Sequence, residues 1–238
     1  MSNSPRIFLT FLVLQFIIFI PCAALSDNSE QTTTIQLAEL QKKYRALQSL
    51  SFSFLQETRA NGRSRTGKGH ALFIHPQISS SKEGQDAVIM RWDYTDPDPQ
   101  VILNNGKTLT IYTEKDNQAI ITPVEDIESD LTHLLFTGTR NIVEAFMIES
   151  QPSSASAELT NILLIPRQPH RQLQSVRIWF DKDLLVRRLL LLDHFDTVTD
   201  LMFTNLKVNP VRADDHQTIN ATLDLKLPPA TEIITQEN

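Results

Sequence analysis

Apart from Cys22 the sequence has no cysteine. A lone thiol near the N-terminus excludes an intramolecular disulfide framework, Cys-based zinc sites in the body of the chain and a Cys nucleophile there. Signatures of nucleotide and hydrolase chemistry are also missing, since the chain has no G-x-x-x-x-G-K-[ST], no G-x-G-x-x-G, no H-E-x-x-H and no G-x-S-x-G. Positive charge is in deficit: 22 basic against 28 acidic residues give a net charge of −6, which leaves no electrostatic footprint for nucleic acid. Only one long apolar run is present, Ile7 to Ile20. It is shorter than the roughly 20 residues of a membrane span, is interrupted by Thr10 and Gln15, and ends at Pro21.

That run, with Arg6 before it and Ala23, Ala24 and Ser26 after it, has the layout of a secretory signal peptide. The expected organisation is a signal peptide over 1–24, with cleavage after Ala24 or after Ser26, followed by a single domain over 25–238. Pro21 before Cys22 is a poor lipobox, so the exported chain is expected to be periplasmic, without a lipid anchor. Removing 24 residues leaves 214, with 21 basic and 28 acidic side chains and a net charge of −7. Such a chain is long enough to bury one large core without staples.

Beyond a polar lead-in, Ile35 to Gln48 places Leu37, Leu40, Tyr44 and Leu47 on one helical face. Period two then takes over at Leu50, Phe52 and Phe54, and Asn61-Gly62 reads as a hairpin turn. Short strands are expected over 69–75, 87–94, 100–104, 108–114, 118–122, 159–166, 175–181, 185–192, 200–208 and 219–226. Turn signals at Asn105-Gly106, Asp116-Asn117 and Asp181-Lys182-Asp183 separate several of them. Between 124 and 149 the spacing becomes helical, with Ile127, Leu131, Leu134 and Leu135, then Ile142, Val143, Phe146 and Met147, so two short helices are expected inside the meander. Residues 77–86, 151–157 and the tail from Pro228 read as loops. The fold class is α+β, a long antiparallel sheet with a few helices on one side.

Candidates for catalysis are few. Asp193-His194-Phe195-Asp196 could hold a histidine with a raised pKa between carboxylates, but strand neighbours point to opposite faces, and a solvent-facing turn is the simpler reading. The chain has instead a surplus of apolar groups. Leu189 to Leu192 and Ile162 to Ile165 are apolar on both faces, where a sheet with one wet face would alternate. Either these strands are central in a sandwich, or one face lines an apolar cavity under the helices.

Several segments, in order, resemble the LolA family of periplasmic outer-membrane lipoprotein carriers. They are Leu47 to Gln56, Gly67 to Pro76, Arg91-Trp92-Asp93-Tyr94 with Pro99 and Asn105 to Tyr112, and Leu185 to Asn209 with its Arg187-Arg188 and Phe203-Thr204-Asn205. The resemblance implies an unclosed antiparallel β-barrel, a strongly curved sheet with helices forming a lid over an apolar cavity. It implies a carrier and no enzyme, with no cofactor and no metal. Lipoprotein acyl chains would come from an inner-membrane ABC transporter and pass to an outer-membrane receptor, and the carrier would be a monomer. The alternative within the same fold is a chaperone or sensor for another lipid or glycolipid.

Placed on this chain, the resemblance makes Phe52, Phe54, Phe73, Trp92, Ile111, Ile178 and Phe203 the sheet side of the cavity. Leu37, Leu40, Tyr44 and Leu47 with Leu131, Leu134, Leu135, Ile142 and Phe146 form the lid. His75 stands where the family has an arginine that latches the lid, and the connection from Pro76 to Arg91 is longer than the family's turn.

Overall fold

The computed structural model describes residues 27–75, 88–123, 141–150, 158–170 and 173–235. The signal peptide with Cys22, the loops at 77–86 and 151–157, and the helix expected around Leu131, Leu134 and Leu135 lie outside these residues. Among the described residues no helix is long and apolar enough to cross a membrane.

Helix α1 (Asp27–Ala46) begins earlier than the apolar spacing predicts and takes in the supposed polar lead-in. Among the described residues twelve strands follow in one sheet: β1 (Ser49–Ala60), β2 (Arg63–Ile74), β3 (Ile89–Asp96), β4 (Gln100–Asn104), β5 (Thr108–Thr113), β6 (Gln118–Pro123), β7 (Phe146–Ser150), β8 (Thr160–Pro166), β9 (Ser175–Phe180), β10 (Val186–Leu192), β11 (Val198–Val208) and β12 (Glu232–Thr235). Among the described residues two short helices, α2 (Ile142–Ala145) and α3 (His216–Leu223), interrupt them.

The strand order is β12-β6-β5-β4-β3-β2-β1-β11-β10-β9-β8-β7, so the two meanders join where β1 pairs with β11. β12 and β7 stand at opposite ends of that order, which makes this an unclosed, strongly curved sheet. Its pairings are antiparallel except one: β12 runs parallel to β6.

Turn chemistry explains much of the register. Asn61 and Gly62 both have positive φ, 50° and 72°, in the two-residue turn between paired Ala60 and Arg63, as a type I′ hairpin requires. Asp181 Oδ1 accepts from the N–H groups of Asp183 and Leu185 at 2.9 and 3.0 Å, closing the β9–β10 turn. Asn205, at φ 52°, sits where the β1–β11 register shifts, and such bulges deepen the bend of a sheet.

Three expectations are corrected. Residues 219–226 form no strand: Asp215 caps α3 by accepting from Thr218 N–H at 3.0 Å, and Ile219 and Thr222 face inward. The second helix of the inserted pair is only four residues long, because Phe146 leaves it for β7 and pairs with Pro166 of β8. The tail from Pro228 contains β12 and is not all loop.

Burial separates the two faces. On the outer side α3 and Val211 cover Ile74, Ile89 and Leu103 in a small cluster. Buried Ser49 anchors this segment, its hydroxyl donating to the Val211 carbonyl at 2.6 Å and accepting from the Val211 N–H at 2.9 Å. The main core lies on the inner, concave side and includes α1.

Candidate functional site

Strand register puts Phe52, Ala71, Trp92, Ile102 and Ile111 in one transverse row, because directly paired residues share a face. Phe54 is paired with Phe203, and Leu201 continues through Leu189 and Ile178 to Ile162. The concave face is therefore apolar from β4 to β8, with its aromatic groups concentrated on β1, β2, β3 and β11.

These rings touch one another. Phe52 lies 4.7 Å from Phe203, 5.7 Å from Phe73 and 5.6 Å from Trp92, centroid to centroid. Phe54 meets Trp92 edge-on at 4.9 Å and Tyr94 at 4.7 Å. Tilted and edge-to-face arrangements at these distances are favourable beyond the area they bury.

Helix α1 packs into this core. Leu37, Leu40 and Tyr44, together with Leu47 just past its end, are buried in the same cluster as the aromatic row. Polar contacts to described residues help to fix the helix. Val186 N–H donates to Tyr44 Oη at 2.9 Å, Ile142 N–H donates to Gln41 Oε1 at 3.3 Å, and Lys43 Nζ donates to the Asp183 carbonyl. Burial pushes the Tyr44 phenol well above its ordinary value of 10.0, against the lowering effect of the Val186 bond, so this ring stays protonated.

Of the seven sheet positions expected from the sequence, Phe52, Phe54, Phe73, Trp92, Ile178 and Phe203 come together in the one cluster. Ile111 shares their face by register but is only half-buried and stands outside the buried cluster. Ile142 and Phe146 join the cluster, Phe146 from a strand. Leu131, Leu134 and Leu135 lie outside the described residues. His75 directly follows β2, half-buried, with its backbone N–H donating to the Gln48 carbonyl at 2.8 Å. Sequence reasoning missed Tyr94, although its position two residues beyond Trp92 on one strand gives it the same face.

The apolar strands divide along the same line. Leu189, Ile162 and Leu164 are fully buried inside, while Leu190, Leu192, Leu163 and Ile165 are half-buried on the outer side. Asp193 to Asp196 form the β10–β11 turn, where Asp193 Oδ1 accepts from the N–H groups of Phe195 and Thr197 at 2.7 and 2.8 Å and Phe195 is 82% exposed.

Beyond Tyr94 the concave face changes character. A cleft of about 680 Å³ opens at the end bearing the β3–β4 and β5–β6 turns, lined by polar groups of β1 to β5.

Comparison with known proteins places this curved sheet in a family. Residues 45–219 match the family described as "Outer membrane lipoprotein carrier protein LolA". The chain belongs to this family. An "Outer-membrane lipoprotein carrier protein" of Nitrosomonas europaea is 26% identical over 52% of this chain and 60% of its own length, so the match spans less than two thirds of that relative. One of Coxiella burnetii with the same description is 26% identical over 76% of this chain and 80% of its own. Among solved structures, an uncharacterized conserved protein from Thermus thermophilus is similar in fold, with a TM-score of 0.51 at 10% identity over 85% of this chain and 98% of its own.

Proposed function

We propose that this protein is a periplasmic carrier that receives the acyl chains of lipoproteins from an inner-membrane ABC transporter and delivers them to an outer-membrane receptor. The observation that carries the reading is the aromatic concave face of an unclosed sheet, which shares one buried core with Leu37, Leu40 and Tyr44 of α1. Its relatives' description as lipoprotein carriers supports the choice of cargo.

The physics is one of exchange. Burying a methylene is worth about 0.8 kcal/mol, so sheltering one acyl chain is worth on the order of ten kcal/mol. In the closed arrangement the rings and α1 already satisfy each other, so an entering chain replaces existing apolar contacts and its net gain is a fraction of that sum. Loading needs an energised donor to extract the chain, and release follows from a site on the acceptor with greater affinity. The protein's part is an apolar surface that excludes water. No residue acts as acid, base or nucleophile.

His75 acts at the rim as a polar latch in this reading, at the point where β2 ends beside Gln48. Replacing it by arginine, a fork of permanently charged donors, slows probe uptake if the imidazole serves as the latch. An unchanged rate removes it from the mechanism.

Mass spectrometry of what copurifies with the protein from periplasm tests the whole reading. Triacylated polypeptides are the expected cargo. A copurifying glycolipid or phospholipid without lipoprotein favours the alternative, a chaperone or sensor of the same fold.

A further inference from the structure

The polar cleft continues the same concave face. Tyr94 is the wall common to both: its ring packs edge-on against Phe54 at 4.7 Å, while its hydroxyl donates to Gln56 Oε1 at 2.8 Å on the cleft side. Gly67 makes this possible, since a Cβ there would stand 3.3 Å from the Tyr94 ring. An acyl chain that leaves the aromatic row at Trp92 and follows β3 thus meets Tyr94, and what is attached to it enters the cleft.

Charge and hydrogen-bonding capacity define what fits. Arg65 and Lys115 face Asp96, Asp98 and Asp116, a net charge of −1 in the lining. Asp98 is paired with Lys115 at 3.5 Å and Asp96 with Lys68 at 3.7 Å, so phosphate meets no concentrated positive field. The uncharged groups have capacity to spare. Gln56 spends one N–H on Thr58 at 3.1 Å, and Gln100 one on Thr113 at 3.2 Å, so each amide keeps a second N–H and an oxygen lone pair for a ligand. Gln56 is on β1 and Gln100 on β4, three strand spacings away, about 14 Å along the sheet. That is the reach of about four extended residues, whose backbone offers alternating N–H and C=O groups.

We propose that this cleft binds the first few residues of the polypeptide attached to the acyl chains, giving the carrier a peptide subsite beside its apolar one; the proposal rests on the carrier reading above. The site recognises neutral amide backbone and discriminates against phosphate headgroups.

The test uses displacement of a fluorescent fatty-acyl probe by four competitors with the same two acyl chains: a diacylglyceryl-cysteinyl peptide with four further neutral residues, diacylglycerol, phosphatidylglycerol and a galactosyl diacylglycerol. The lipopeptide is expected to bind about tenfold more tightly than diacylglycerol, and Gln100→Leu and Gln56→Leu each to remove about fivefold of that gain, leaving diacylglycerol unchanged. Gln56→Leu also removes the partner of Tyr94, so where its thermal transition falls Gln100→Leu decides. A lipopeptide that binds no better than diacylglycerol overturns the proposal. So does phosphatidylglycerol or the glycolipid binding more tightly than the lipopeptide. If no competitor displaces the probe, the carrier reading itself falls, and the subsite with it.

Discussion

The backbone N–H of Val186 donates a 2.9 Å hydrogen bond to the phenol oxygen of Tyr44, tying the start of β10 to the buried face of α1. Tyr44→Phe keeps the ring and strands that N–H in a dry site. A loss of about 1–3 kcal/mol in urea unfolding is expected. The proposed carrier mechanism has α1 lift to admit a chain, so probe uptake should also accelerate in stopped flow. A variant that is destabilised yet loads at the wild-type rate would mean that α1 does not move.

Leu40→Ala and Ile219→Ala separate lid from scaffold. Both residues are buried, Leu40 between α1 and the concave face and Ile219 between α3 and the convex face. Each truncation should cost about 2–5 kcal/mol. Only Leu40→Ala should speed loading of an acyl probe, because only that cluster is exchanged for cargo. Equal acceleration by both would point to general loosening.

Much of this division was readable in the sequence, and the reasons it was not wholly so are particular. Strands 100–104 and 108–114 were legible because the turn residues Asn105-Gly106 and Asp116-Asn117 bracket short apolar-rich segments. Phe52, Phe54, Phe73, Trp92 and Phe203 were named from the resemblance, but the register that brings them onto one face is set by pairing between strands, which the parity of a single strand does not fix. The segment from Ile219 to Lys226 misleads because Ile219, Ala221, Leu223 and Leu225 alternate like a strand while Ile219 and Leu223 also fit one helical face. Asp215 with Thr218 was the available cap signal. Phe146 misleads in the opposite sense, since its helical spacing loses to pairing with β8, and β12 depends on a parallel contact with β6 more than a hundred residues away. The cleft left no local signature, since its lining comes from five strands and their turns.

Acid should weaken the β9–β10 turn only below about pH 4. Burial would raise the Asp181 carboxyl, but the Leu185 N–H, the Arg187 guanidinium and the Asp183 N–H together outweigh it and hold the group below its ordinary value of 3.8. Arg187 approaches to 2.6 Å. A folded pKa below the unfolded one means that the unfolded chain binds the proton more readily, so the stabilisation is complete above about pH 4 and is lost as pH falls through the folded value. Asp181→Asn should lower stability at pH 7 and flatten the acid limb of a stability-versus-pH curve. An acid limb as steep as the wild type's would show that other carboxylates govern it.

Two tryptophans make the central claim directly measurable. Trp92 lies in the concave aromatic row, whereas Trp179 is on the outer side with the Arg188 guanidinium 4.7 Å above its ring. Trp179→Phe leaves Trp92 as the sole indole emitter, and Trp92→Phe leaves Trp179. Titration of both variants with fatty-acyl chains brominated near mid-chain reports which face the chain occupies, because the heavy atom quenches only at near contact. The account predicts saturable quenching of Trp92 and none of Trp179. Quenching of Trp179 alone, or of neither while the chains bind, would contradict acyl binding on the concave face.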